Sequence, residues 1–157
     1  PRSESLDGIE LNTNWKVKQR EKYMEAITRI QSYGITVNGC FILGLDGDTP
    51  SVFEEVYSFV KESGLCEVQI TYMTPFPGTP LYQRLKKENR LIEDKAWELC
   101  TLFDPNFIPK GMTLQELNDG FLKLGINLYS EKEVTERRNN FKKKLSFSPN
   151  IPRRKTD

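Results

Sequence analysis

The chain has 157 residues, enough for one domain or for one piece of a larger one, and its net charge of +1 excludes a global field that would draw it to nucleic acid or a membrane. It contains no histidine, so histidine acid–base catalysis and histidine metal ligation are excluded within the chain. No apolar run approaches the roughly 18 residues of a membrane span, and the polar start is not a signal peptide, so we expect a cytoplasmic protein.

A helix and a strand are the first predicted elements. Residues 1–16 are polar and lack periodicity, and the start without Met leads us to expect a piece of a longer protein. From Val17 apolar residues recur at helical spacing up to Gly34, which is placed to end the helix. In residues 35–43, the apolar side chains occur at odd positions and also at even ones, namely Cys40 and Ile42. This pattern predicts a strand that is covered on both faces, as in a parallel sheet.

The next helix and strand repeat this order. Pro50 is well placed in the first turn of a helix that begins near Thr49 and stops at Gly64. Residues 65–73 are predicted to form the second strand, and residues 79–80 repeat the Thr-Pro helix start. Because ligands of parallel α/β sheets lie at the carboxyl ends of strands, the turns at residues 44–50 and 74–80 are the predicted functional sites.

Helices and loops are predicted for the rest of the chain. Residues 97–103 contain four large apolar side chains, which predict a compact cluster. Capping boxes at residues 113–116 and 130–133 predict two helices, and the first of these carries an apolar stripe that is expected to be core. The second ends near Leu145, and the basic tail beyond it is expected to be loose and solvated rather than a nucleic-acid contact.

The three cysteines, Cys40, Cys66 and Cys100, are widely spaced and lie in apolar contexts. Their odd number and spacing predict reduced, buried thiols rather than a disulfide. No metal ligand and no catalytic residue is predicted.

Each turn, taken alone, could also be an ordinary loop that joins a strand to a helix and binds no ligand. Glycines and acids in residues 44–50 suit close approach to a ligand, but composition alone favours a polar loop with a helix cap. Three prolines stiffen residues 74–80, which fits a binding wall or a rigid connector equally well. Two such turns after successive strands would lie at one rim of the sheet, so the pair favours a single ligand site.

Together the two turns resemble a known family. The sequences Ile-Leu-Gly-Leu-Asp-Gly-Asp-Thr at residues 42–49 and Thr-Pro-Phe-Pro-Gly-Thr-Pro-Leu-Tyr at residues 74–82 are similar to the fifth and sixth strands of the radical S-adenosylmethionine (SAM) barrel. The closest likeness is to the subgroup with an amino-terminal cobalamin-binding domain. The resemblance implies an α/β fold, with part of a (β/α) barrel at residues 1–90 and a mainly helical C-terminal extension at residues 91–146. The loose basic tail is then residues 147–157.

Cofactor-binding residues are also implied by this resemblance. The strand end would lie against the adenine of SAM, the first turn would contribute its acid, and the second turn would lie beside the adenosyl group. The residues concerned are Phe41, Ile42, Gly44, Asp48, Thr74, Pro75 and Phe76.

The family's C-x-x-x-C-x-x-C loop, whose thiolates hold a 4Fe-4S cluster, is missing from this chain, and so is a cobalamin motif. The resemblance therefore implies the C-terminal portion of a radical SAM enzyme that is not catalytic alone. SAM, the cluster and cobalamin would be held by the full-length enzyme, and none of them is expected on this fragment by itself. Its partners would be the upstream part of the same polypeptide and a small-molecule substrate.

A non-catalytic α/β binding or interaction module is the alternative interpretation. In either case, two barrel strands without their neighbours would leave backbone groups unpaired. We therefore expect self-association or a rearranged sheet edge.

Overall fold

A computed structural model describes residues 22–151 of the chain. Its elements are α1 (Tyr23–Ser32), β1 (Asn38–Leu43), α2 (Val52–Ser63), β2 (Glu67–Tyr72), α3 (Pro80–Lys87), a short 3₁₀ helix (Trp97–Leu99), α4 (Leu114–Tyr129) and α5 (Glu131–Phe147). The predicted α/β class with a mainly helical C-terminal part is confirmed. The predictions for residues 1–21 and 152–157 lie outside the described residues.

β1 and β2 form a parallel sheet, which is two-stranded over the described residues. The register pairs Asn38 with Glu67 and Leu43 with Tyr72. Hydrogen bonding extends one residue further, where the Met73 N–H donates to the Leu43 carbonyl at 2.8 Å. Because the strands run in the same direction and stay in register to their ends, the two turns that follow them leave from one rim of the sheet.

The glycine and proline signals mostly act as predicted. α1 and α2 end at Gly34 and Gly64, which have positive φ values of 81° and 64°. α3 begins as expected, because the Thr79 hydroxyl accepts from the Tyr82 N–H at 3.3 Å. The predicted start of α2 is wrong, since that helix begins only at Val52 and its N-cap makes no side-chain capping bond.

One face of the sheet is covered by helices. Side chains from both strands join an apolar cluster with residues of α1, α2 and α4. The predicted α4 stripe is confirmed as core, since Leu117, Leu124 and Leu128 are all buried. A second cluster lies beneath the two turns and contains Leu45, Tyr72, Met73, Leu85, Phe107 and Leu117.

Only one of the two predicted capping boxes forms completely. The Thr113 hydroxyl accepts from the Glu116 N–H at 3.1 Å, and the Glu116 carboxylate accepts from the Thr113 N–H at 2.8 Å. Before α5, the Ser130 hydroxyl accepts from the Glu133 N–H at 3.4 Å, but the Glu133 carboxylate turns away to Lys61 of α2 at 3.1 Å. A charged partner across the helix interface therefore replaces the predicted bond to the backbone.

The predicted apolar cluster at residues 97–103 is wrong. Trp97 is 67% exposed and Phe103 is 56% exposed. This segment instead runs along the outer edge of β2, where the Leu102 carbonyl accepts from the Tyr72 N–H at 2.8 Å. A backbone contact to the sheet, and not apolar packing, is thus what fixes its position.

A second contact closes the same edge. The Ile70 N–H of β2 donates to the Tyr129 hydroxyl of α4 at 3.2 Å. A loop carbonyl and a side-chain hydroxyl therefore satisfy N–H groups that a third strand would otherwise accept from. Self-association of the fragment stays a prediction.

Candidate functional site

The first turn is organised around Asp48, whose side chain is almost fully buried at 1% exposure. Its Oδ2 accepts from the N–H groups of Gly44 at 3.0 Å and Leu45 at 2.9 Å, and its own N–H donates to the Leu45 carbonyl at 2.9 Å. These bonds close the turn on itself. The Asp48 carboxylate therefore shapes the backbone of the turn from within.

Gly44 allows the chain to turn tightly where it packs against Phe107 and Leu117 of the C-terminal part. Its φ is +88°, and a Cβ at this position would lie 2.5 Å from the Phe107 ring and 3.3 Å from Leu117. Gly111 is equally constrained, because a Cβ there would overlap the Asp48 carbonyl oxygen. Two segments of the C-terminal part thus support the turn from below.

Asp46 connects the first turn to α3 and to the residues that follow it. Its carboxylate accepts from Arg84 and Arg90, each at 2.8 Å, and Arg90 also donates to the Ile108 carbonyl at 2.9 Å. Burial opposes ionisation of Asp46, but the hydrogen bond and charge of Arg90 outweigh it, so the pKa of Asp46 is lowered. The ion pair with Arg84 therefore holds the turn against α3, and the pair with Arg90 holds it against the residues that follow α3.

The second turn is rigid and only partly exposed. Thr74 is buried and its hydroxyl donates to the Tyr72 carbonyl at 3.2 Å, while Pro75 is fully buried. The Phe76 carbonyl accepts from the Thr79 hydroxyl at 2.6 Å, which ties the tip of the turn to the start of α3. The Phe76 side chain is 42% exposed, so it is a large apolar group of this turn that a ligand can reach.

The sheet face opposite the helices is open at β1. Cys40 is exposed and Ile42 is 54% exposed, whereas Phe41 points to the other face and packs edge-on against Phe59 at 5.9 Å. The prediction that both faces of this strand are covered is therefore wrong for the described residues. The open face leads directly into the rim from which the two turns leave.

The cysteines are free, as predicted, but the prediction that all three are buried is wrong. Cys66 is buried, and burial raises the pKa of its thiol, while Cys100 is half-buried and Cys40 is exposed. Across residues 22–151, no three His, Cys, Asp or Glu side chains are grouped so that they could hold a metal ion. The described residues therefore do not fit an iron–sulfur cluster.

The seven predicted site residues divide into two groups. Ile42 and Phe76 present side chains to the outside, and Gly44 shapes the first turn through its backbone. The remaining four are buried behind them, namely Phe41, Asp48, Thr74 and Pro75. Whether any of the seven binds SAM stays a prediction.

Sequence reasoning missed the residues that hold the first turn from a distance. Arg90, Phe107 and Gly111 all contact it, although they lie some 40 to 65 residues away along the chain. No local pattern marks them, because an arginine near a helix end or a phenylalanine in a loop is common. The positively charged end of α3, with Arg84, is the only sequence signal that points toward Asp46.

The chain is similar in sequence to one described protein family and to several known enzymes. A family model described as a domain of unknown function, DUF4070, matches residues 79–156. The chain is 26% identical to bacteriochlorophyllide d C-12(1)-methyltransferase of Chlorobaculum tepidum over 74% of the chain and 25% of the relative. It is 41% identical to hopanoid C-2 methylase of Rhodopseudomonas palustris over 45% of the chain and 14% of the relative. It is 30% identical to the anaerobic magnesium-protoporphyrin IX monomethyl ester cyclase of Cereibacter sphaeroides over 70% of the chain and 18% of the relative.

The chain spans a quarter or less of the length of these curated relatives. No helix within residues 22–151 is long and apolar enough to cross a membrane. The parallel strands with their two turns, the DUF4070 match and these relatives agree in one conclusion: the chain resembles the carboxyl-terminal part of a radical SAM enzyme of the cobalamin-binding type.

Proposed function

We propose that the chain forms one wall of the SAM- and substrate-binding cavity of a cobalamin-dependent radical SAM enzyme. The observation that supports this most directly is the exposed Ile42 side chain on an open strand face that leads into two shaped turns at one rim. The reaction we propose is methyl transfer to an unreactive carbon, because several relatives are named methyltransferases or methylases. The full enzyme would bind the substrate through contacts from this wall and from the rest of the polypeptide.

In this proposal Ile42 and Phe76 lie against the adenosyl group of SAM. An aliphatic side chain and an aromatic ring on a stiff scaffold suit a flat, weakly polar base, since little ordering entropy is lost on binding. Asp48 acts indirectly, by holding the first turn in the shape that presents Gly44. Phe41, Thr74 and Pro75 would support this surface from behind.

The catalytic groups would come from the upstream part of the same polypeptide. When bound there, a reduced 4Fe-4S cluster with SAM would supply the radical chemistry and cobalamin would carry the methyl group. The residues of this chain would orient SAM and exclude water from one side of the cavity. The chain alone should therefore be inactive.

Anaerobic reconstitution with iron and sulfide tests the division of roles. The chain by itself should form no stoichiometric cluster, whereas a polypeptide extended upstream should form one, as measured by absorbance and iron content. A stoichiometric cluster in the chain alone would overturn the proposal. Failure of every extended polypeptide to bind SAM would favour the non-catalytic module.

Equilibrium dialysis of SAM with the extended, reconstituted polypeptide tests the proposed wall. Ile42→Asp should weaken SAM binding by about tenfold, or roughly 1.4 kcal/mol, because a charge replaces an apolar contact. Ile126→Asp is the matched control, since Ile126 on α4 is 72% exposed and lies outside the two turns. Equal SAM affinity of the two variants would contradict the assignment of Ile42.

A further inference from the structure

Arg90 lies just after α3 and contacts three parts of the molecule. Its guanidinium donates to the carboxylates of Asp46 and Glu88, each at 2.8 Å, and its Nε donates to the Ile108 carbonyl at 2.9 Å. We propose that Arg90 is a positioning residue of the SAM site, which sets the affinity for SAM by holding Asp46, and with it the first turn, in the binding shape. This inference rests on the proposed function, and it needs no contact between Arg90 and SAM.

The end of α3 places Arg90 through its backbone. Asn89 adopts a positive φ of 55°, a conformation that asparagine tolerates better than most residues. Its N–H donates to the Lys86 carbonyl at 3.2 Å. The Arg90 N–H donates to the Leu85 carbonyl at 2.8 Å, and the two bonds together close the helix in a Schellman motif. The direction in which the chain leaves α3 at Arg90 is therefore fixed.

A second anchor holds Arg90 from the side of the extension. The Ile108 N–H donates to the Arg90 carbonyl at 2.8 Å, so Ile108 bonds both the backbone and the side chain of Arg90. Leu91 and Phe107, the neighbouring residues, form an antiparallel bridge. Phe107 is also the residue whose ring lies beneath Gly44. Arg90 thus joins the first turn to the segment that packs under it.

Burial makes the contact between Arg90 and Asp46 restrictive. Their side chains are 12% and 19% exposed, whereas Arg84, which also pairs with Asp46, is 37% exposed. Burial opposes the charge of Arg90, but its hydrogen bonds to Asp46 and Glu88 outweigh this effect, so the pKa of its guanidinium is raised. Because an ion pair shielded from water is stronger and better fixed than an exposed one, we assign the larger role to Arg90.

Asp46 lies in the middle of the first turn and links it to the rest of the molecule. The Asp48 carboxylate holds the turn from within, by accepting from the N–H groups of Gly44 and Leu45. The pair between Asp46 and Arg90 is an anchor from outside. Without it the turn should take other positions more often, and the apparent SAM affinity should fall with the fraction of molecules that keep the binding shape.

Equilibrium dialysis of SAM with the extended, reconstituted polypeptide tests this proposal. Arg90→Gln should weaken SAM binding about tenfold, whereas Arg84→Gln should weaken it less than about threefold. Arg90→Lys keeps the charge but cannot hold Asp46, Glu88 and Ile108 together, so it should recover only part of the affinity.

Arg29→Gln is the matched control. It removes the same charge from an exposed arginine in the last turn of α1, which precedes the opposite, amino-terminal end of β1. SAM affinity should be unchanged in this variant. If Arg90→Gln and Arg29→Gln bind SAM as tightly as the unchanged polypeptide does, the role of Arg90 is refuted and the proposed function stands. Absence of SAM binding by the unchanged polypeptide would overturn both.

Two further measurements separate positioning from a general loss of stability. Asp46→Asn removes the same contact from its other side, so adding Arg90→Gln to it should weaken SAM binding little further. Hydrogen–deuterium exchange of Arg90→Gln should become faster at residues 44–48 and stay nearly unchanged in β1 and β2. Additive losses in the double variant, or faster exchange throughout the chain, would overturn the assignment of Arg90 as a positioning residue.

Discussion

Replacing Gly44 by Ala should lower the free energy of unfolding by about 2–5 kcal/mol. Two separate effects contribute to this loss. At φ +88° an L-residue is strained by about 1–2 kcal/mol, because its Cβ crowds the following carbonyl. The new methyl group would also lie 2.5 Å from one atom of the Phe107 ring and 3.1 Å from another, and overpacking of this kind costs about 1–3 kcal/mol.

Gly78→Ala separates the two effects, because Gly78 has a similar φ of +85° but no atom within 4 Å of the added Cβ. Urea unfolding of both variants, followed by far-ultraviolet circular dichroism, should show a loss of only about 1–2 kcal/mol for Gly78→Ala. Adding Phe107→Leu to Gly44→Ala should recover part of the overpacking term, so the double variant loses less than the sum of the singles. Equal losses at the two glycines would refute the packing of Phe107 beneath the turn.

Three further predictions concern the scaffold of the site. In α4, Gly120→Ala should destabilise the chain, because the added Cβ would overlap an aromatic ring of α2. Gly125→Ala should stabilise the chain by about 0.5–1 kcal/mol in the same urea assay, because the nearest atom to its added Cβ would be 3.8 Å away. Because the pKa of Asp46 is lowered in the folded state, its ion pair with Arg90 stabilises the fold fully above about pH 5. This stabilisation is lost as the pH falls through the folded-state pKa. Urea midpoints measured between about pH 6 and pH 2 should therefore fall less steeply for Asp46→Asn than for the unchanged chain. Tyr129→Phe removes an acceptor from the outer edge of β2, which should cost about 1 kcal/mol and speed hydrogen exchange of the bonded amide, and an unchanged exchange rate would contradict the edge contact.

Much of the fold could be predicted because its signals are local. Gly34 and Gly64 end helices through their own backbone conformation, and the Thr113 capping box needs only residues within one turn. The predicted capping box before α5 does not form completely, because the Glu133 carboxylate pairs with Lys61 of α2 and not with the backbone. Where a distant group competes for a side chain, the local pattern cannot decide between the two arrangements.

The prediction that both faces of β1 are covered was wrong for a related reason. Apolar residues at Cys40 and Ile42 show that both faces of β1 are suited to burial, but not that both faces are covered by the described residues. The turns themselves were located correctly, because glycine, acid and proline determine local backbone shape. The residues that support the first turn were not found, because burial under Gly44 depends on where Phe107 lies after folding.

The contacts at the first turn have a consequence for binding. Three independent contacts from residues beyond the second turn converge on it: the arginine pair on Asp46, the Phe107 ring under Gly44, and Gly111 against the Asp48 carbonyl. The family match begins at residue 79, inside the second turn and before the residues that make those contacts. Because Phe107 and Gly111 of the extension make two of these contacts, a ligand that binds only the ordered turn should also stabilise the packing of the extension, by up to RT ln(1 + [L]/Kd). We therefore expect the extension to help hold the proposed SAM wall in shape, even without a direct contact between the extension and SAM.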